Sequence, residues 1–497
     1  MKILLPACAI AAIAFAAASV AQTKPAKSGH DNFYWLGEFN KASTVMVTEQ
    51  GIVPKELGAK IAKGVAQVIE DGDKPGAKRP GDYLAYEPLL LAAAGPDATR
   101  MHSGRSRQDI LATTRRVMLR ERALDLAQAM AIARERLLEM AAKHAGTIVP
   151  GYTNGVQAQP NTYGHYLLGF AGAYDRHFER LRQAYARLNL NPLGAAVYGT
   201  SSFPVSRPRL AELLGFDGNV DNSYDAVQVS TIDVASELAS IASIAALTTG
   251  AFVEDIHTQY HQTSPWFLIQ EGAQTHTSSI MPQKRNPTIL NSLRLQASTV
   301  VGDAQAFTIQ AHNVTPGMPD YKREKSQETL EDATLMYVQL KTLLDNLVVN
   351  PQRALAEVNA EYSTTTELAD VLQREADVPF RAGHHFASEL VTFGRAKGLK
   401  PAEIPFAEAV RIWGDASKKY GMDAKFPLSE KRFRESLSAE GMIAASKGLG
   451  GPQPEEMKRM LESERKVLGA DQDWLKARRA KLAEAQAKLD AAFRSLQ

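Results

Sequence analysis

From Arg107 to about His144 the chain runs without a proline through turns rich in alanine, leucine and arginine, the pattern of one very long helix. A second such run extends from Thr162 to about Leu188. A third, from Ser223 to about His261, sets Val234, Leu238, Ile241, Ala245, Phe252 and Ile256 at spacings of three, four or seven. Ile244, Leu247 and Ala251 add a second apolar stripe to that run. A helix apolar on two sides needs neighbours on both, as in the middle of a bundle. Further helical patterns follow Pro287 and run from about Ser326 to Leu347. No stretch alternates apolar and polar residues over much length. The expected fold is mainly α, a long central helical bundle with smaller helical N- and C-terminal domains.

The bundle is placed at residues 106–360, between an N-terminal helical domain at 22–105 and a C-terminal one at 361–497. From Pro54 to about Gly104, short helices are expected, broken by Asp71-Gly72-Asp73 and by Pro75, Pro80, Pro88 and Pro96. Order should begin at Phe33-Tyr34-Trp35, after a polar stretch at 22–32. The mixed-charge run after Asp473 reads as a solvated helix.

At the N-terminus, Met1-Lys2 precedes a mostly apolar run from Ile3 to Val20, ending at Ser19-Val20-Ala21 before Gln22. This describes a secretory signal peptide at 1–21, or an anchor helix if cleavage fails. Nothing beyond it approaches the apolar length of a membrane span, so the mature chain is expected to be exported to the periplasm without a membrane partner. Cys8, the only cysteine, would leave with the leader. A net charge of +2 gives no basic footprint for nucleic acid. The chain offers neither a metal-ligand cluster nor a phosphate-binding glycine loop, so no metal and no cofactor is expected.

Chemistry concentrates in Thr277-Ser278-Ser279-Ile280-Met281-Pro282-Gln283-Lys284-Arg285-Asn286-Pro287. Pro287 suits the first position of the helix that follows, whose free N–H groups and dipole favour an anion. Lys284 adds a full positive charge and Asn286 two more donors. A serine in that field loses its proton more easily than one in water.

This run resembles the S-S-x-M-P-x-K-x-N-P signature of the fumarase/aspartase superfamily. Two further stretches resemble its argininosuccinate lyase branch: His102-Ser103-Gly104-Arg105-Ser106-Arg107-Gln108-Asp109, and Gly151-Tyr152-Thr153-Asn154 followed by Ala158-Gln159-Pro160. The resemblance implies β-elimination from an N-substituted aspartate to fumarate and an amine, or the reverse addition, in a homotetramer with sites where three subunits meet. The carbanion formed beside a carboxylate persists only if positive and hydrogen-bonding groups surround it. By match to the motifs, Ser278 is the base, with Lys284 and Asn286 holding the carboxylate that gathers charge. Arg107 grips a carboxylate, Ser106 and Gln108 donate beside it, and Thr153, Tyr321 and Ser43 are further substrate contacts. Gln108 stands where the family has Asn.

Other departures concern proton transfer and the distal pocket. The family's histidine after Thr153 is Asn154, and the acid that orients it, thirteen residues beyond Ser278, is Asn291. Asparagine is no general acid at ordinary pH; a leaving amine that is already protonated needs none, and His276 is a candidate replacement. The family's D-R-D is Val229-Ser230-Thr231, and its glutamine and lysine after Tyr321 fall on Ser326 and Thr329, or on Gln327 and Leu330 with one insertion. Lys322, Arg323 and Lys325 crowd that segment instead, which suits a leaving group with extra carboxylates. Three readings follow: a lyase for an aminocarboxylate of the ethylenediamine-disuccinate type, argininosuccinate lyase itself, or a catalytically silent member with a binding or structural role. Argininosuccinate is a cytoplasmic intermediate, so export favours the first.

Overall fold

A computed structural model describes residues 29–318 and 325–497. The leader at 1–21 and Tyr321, with Lys322 and Arg323, lie outside the described residues. The N-terminal part holds α1 (Asn32–Glu49), α2 (Lys55–Asp73) and α3 (Tyr83–Ala94). Asp31 caps α1 by accepting from the Tyr34 amide at 2.9 Å, and Phe33 and Trp35 are buried while Tyr34 is partly so. Pro88 does not break its segment. It lies inside α3, where the pattern had suggested an interruption.

The bundle is built from α4 (Arg107–Lys143), α5 (Tyr163–Leu188), α7 (Ser230–Tyr260), α8 (Thr288–Ala311) and α9 (Lys325–Asn346), with the short α6 (Arg207–Leu213) beside α1. Their apolar faces meet in one core that includes Leu137, Leu167, Phe252, Leu293 and Leu340, all fully buried. A π-helical turn, Asp225–Val229, leads into α7 where the periodicity suggested plain helix. Asp225–Tyr260 proves long and apolar enough to cross a membrane, which the sequence reading had excluded. Half of its most apolar window is buried inside the fold.

Helices α10 (Pro351–Ala360), α11 (Thr365–Ala376), α12 (Phe380–Ala396), α13 (Phe406–Lys418), α14 (Glu430–Ser436) and α15 (Ala439–Ala445) follow. From α11 onward they enclose a separate small core around Phe386, Trp413 and Phe433. The last helix, α16 (Pro454–Arg494), packs along α4 and α5. Its charged sequence hides a buried seam of Leu475, Leu489 and Phe493, the last two joining the N-terminal core. Strand structure among the described residues is confined to short pairs, the longest being Ile148–Thr153 against Val156–Thr162.

Candidate active site

The signature loop is the tip of a hairpin. Thr275–Thr277 pairs antiparallel with Arg285–Pro287, leaving residues 278–284 as the connection. Pro287 stands one place earlier than expected, as the N-cap, and Thr288 opens α8. Within the tip, the Ser278 amide donates to the Lys284 carbonyl at 3.4 Å, and the Lys284 amide to the Met281 carbonyl at 3.1 Å. These bonds fold the loop back on Ser278. Its half-buried Oγ accepts the amides of Met281 at 3.2 Å and Ile280 at 3.4 Å. Two N–H donors on one hydroxyl oxygen stabilise negative charge there, which favours the alkoxide form. The Lys284 side chain is exposed and forms no ion pair with a described residue.

Asn286 is engaged across the hairpin. Its Nδ2 donates to His276 Nε2 at 3.2 Å and to the His276 carbonyl at 3.3 Å. The opposite ring nitrogen, Nδ1, lies 2.9 Å from Thr288 Oγ1. Both ring nitrogens of His276 therefore have partners inside the chain, which weakens it as a replacement acid. Asn291, one turn further along α8, faces His257 of α7, whose imidazole is held below its ordinary value mainly by burial.

The second group sits at the start of α4. Ser106 is the N-cap: its Oγ accepts from the Gln108 amide at 3.1 Å, and its own amide donates to Asp109 Oδ1 at 2.8 Å. Asp109 is fully buried and also accepts from the Gly194 amide at 3.0 Å. Burial pushes its carboxyl up to about 7 against those donors. Arg107, expected to face substrate, donates from Nε to Asp82 Oδ2 at 2.8 Å and is half exposed. A substrate carboxylate would have to exchange with Asp82. Gln108 accepts from Gln228 Nε2 at 2.9 Å, a residue presented by the π-helical turn. Ser43, on α1, is 1% exposed and accepts from Arg105 Nη1 at 2.9 Å.

Sequence reasoning passed over Asp82, Arg105 and Gln228. An Asp directly before a helix start was a visible cap signal for Asp82. Arg105 stood in the same motif as Arg107, and nothing local marked Gln228.

The third group is the tip of the 148–162 hairpin. Thr153 pairs with Val156 across Asn154 and Gly155, whose φ values are 52° and 75°. Two consecutive positive φ angles make the turn that Asn-Gly favours between twisted strands. Asn154 thus has a backbone reason to replace a histidine, besides any catalytic one. Thr153 and Asn154 are exposed at this tip.

Comparison with known proteins bears on the family of the whole chain. The lyase family model matches residues 84–302, and the argininosuccinate lyase C-terminal model matches 362–444. The argininosuccinate lyase of Methanosarcina acetivorans is 32% identical over 464 residues, 92% of this chain and 90% of that one. That of Methanosarcina mazei is 34% identical over 435 residues, covering 86% and 85%. Among solved structures, EDDS lyase in complex with formate superposes with a TM-score of 0.83 at 29% identity, over 94% of this chain and 92% of that one. An EDDS lyase variant with bound fumarate gives the same values. Class II fumarase from Schistosoma mansoni, at 14% identity and a TM-score of 0.63, shares the fold. With the hairpin-borne serine and lysine, the capped arginine segment and these likenesses together, the chain belongs to the argininosuccinate lyase family and is a carbon–nitrogen lyase.

Proposed function

We propose that the protein removes the elements of an amine from an N-substituted aspartate, releasing fumarate, with Ser278 as the base that takes the Cβ proton. The observation that carries this reading is the pair of amides, from Ile280 and Met281, aimed at Ser278 Oγ. The Cβ proton leaves with its electrons passing into the adjacent carboxylate. Lys284, Asn286 and the start of α8 meet the charge that develops there. The C–N bond then breaks, and the amine departs already protonated, as aliphatic amines are near neutrality.

The leaving amine is not arginine in this reading but part of an aminopolycarboxylate. Ser326 and Thr329, where the family has its glutamine and lysine, are both 0% exposed, and in the shifted register Leu330 is equally buried. Ser230 is tied up by Arg116 Nη2 at 2.8 Å and donates to the Asp225 carbonyl. The family's lysine is thus lost from the distal end in either register, while the shifted register keeps a glutamine at Gln327. The EDDS lyase likeness points the same way.

The test is direct. Mature protein purified from the periplasm, whose first residue should read Gln22, is incubated with argininosuccinate and a panel of N-substituted aspartates. Fumarate is followed by ultraviolet absorbance. Fumarate from argininosuccinate alone would sink the aminopolycarboxylate reading, and none from any substrate would leave a silent family member.

Assembly is part of the proposal. Leu247 of α7 is 62% exposed, Leu295 of α8 65% and Val338 of α9 46% in the single chain. Large apolar side chains on three adjacent bundle helices suit a shared bundle. We expect a homotetramer with sites completed between subunits. Light scattering on the purified protein should give four times the chain mass, and Leu247→Glu should lower that mass and the turnover together. An intact, fully active tetramer in that variant would place the interface elsewhere.

A further inference from the structure

We propose that Arg105 is the positioning residue of the carboxylate-binding end, holding Ser43 and His102 so that each presents a donor to the bound dicarboxylate. This rests on the reading that the site takes a dicarboxylate, and it assigns a role to a residue that reading leaves out.

Arg105 precedes the N-cap of α4, and Ser106 in extended conformation separates it from the helix. It is 8% exposed, yet no carboxylate of a described residue pairs with it. Its Nη2 has no hydrogen-bond partner among the described residues. The buried Asp109 carboxyl lies within electrostatic reach, but a buried guanidinium without a direct ion-pair partner is still costly to keep. What it does touch is specific. Nη1 donates to Ser43 Oγ at 2.9 Å and Nε to His102 Nδ1 at 3.2 Å. Its plane is carried over the Tyr83 ring at 5.0 Å, and His102 stacks on that same ring at 4.4 Å.

Each of these bonds removes a freedom. A hydroxyl that accepts from Arg105 must turn its own proton elsewhere, so Ser43 becomes an oriented donor. An imidazole that accepts at Nδ1 must carry its proton at Nε2, so His102 is fixed in one tautomer. A planar fork can hold both at once, whereas an ammonium on a flexible stem cannot. Its charge adds to the positive end of the 37-residue α4. Together these features describe a cation that orders two donors at the start of α4.

The experiment uses the full-length mature protein and succinate, an unreactive dicarboxylate, with binding measured by calorimetry. Turnover of the best substrate is measured alongside. Ser43→Ala and Arg105→Met should each weaken succinate at least tenfold and raise KM more than they lower kcat. The double variant should be no weaker than the worse single one, because the two residues act as a unit. Arg105→Lys should recover part of the succinate affinity through its charge, but not the coupling to Ser43. If Arg105→Met does not fold, the same comparison of Arg105→Lys with and without Ser43→Ala decides. Additive losses, or wild-type succinate binding in Arg105→Lys, would overturn the assignment. A wild-type protein that binds neither succinate nor fumarate would instead bring down the dicarboxylate reading beneath it.

Discussion

Replacing Ser278 by alanine should lower fumarate formation by roughly two to four orders of magnitude, the range typical of removing a general base. The fold should be untouched. Ser278 lies at a half-buried hairpin tip, and substitutions away from packed sites usually shift stability by less than about 0.5 kcal/mol. The loss should fall mainly on kcat, because alanine leaves Lys284, Asn286 and Arg107 in place to bind the carboxylates. Steady-state kinetics with matched thermal unfolding curves would check this. A Ser278→Ala variant that kept its turnover would remove the serine as base and leave the loop as an anion cradle only.

Arg134→Met should produce the largest loss of stability of any single change considered for this chain. The Arg134 side chain is 0% exposed; its Nη1 donates to Asp471 Oδ2 at 2.6 Å and its Nη2 to Asp175 Oδ1 at 3.3 Å. Glu464 lies 3.7 Å from the same Nη2, and Arg182 reaches Asp471 at 3.5 Å. One cation therefore joins α4, α5 and α16. Removing it strands a carboxylate that is 2% exposed, and breaking a buried pair in this way costs about 3–5 kcal/mol. Pairing Arg134→Met with Asp471→Leu should recover much of the loss, since the buried charge leaves along with its partner. Urea midpoints at one fixed protein concentration, with the slope unchanged, would measure both. A single variant as stable as the wild type would mean that Arg182 alone satisfies Asp471.

Much of the site was legible because its parts are local. Ser106 with Asp109 three residues on is a capping box, so the start of α4 could be read from four residues. The loop around Ser278 was equally readable, since its prolines, lysine and asparagine lie within ten residues of one another. The roles of the two arginines were not. Arg105 and Arg107 stand on either side of Ser106, whose φ of −138° and ψ of 166° set them in different surroundings. Arg105 lies buried against Ser43, and Arg107 lies exposed beside Asp82. Asn154 was legible as a missing histidine but not as half of a turn, because that depends on both flanking strands pairing.

By itself the sequence determined the long bundle helices and the residue types gathered at the hairpin tip, since each rests on patterns spanning a few residues. Only the tertiary structure decided which charges are buried and with whom. The acids that hold Arg134 come from 41 and 337 residues away, and no local pattern encodes which distant helix face will arrive opposite a given side chain. The same holds for α16, whose charged surface conceals a buried seam only because α4, α5, α1 and α6 are there to cover it. A desolvated charge is stabilised by its neighbours in space, and those are set by the packing of whole helices.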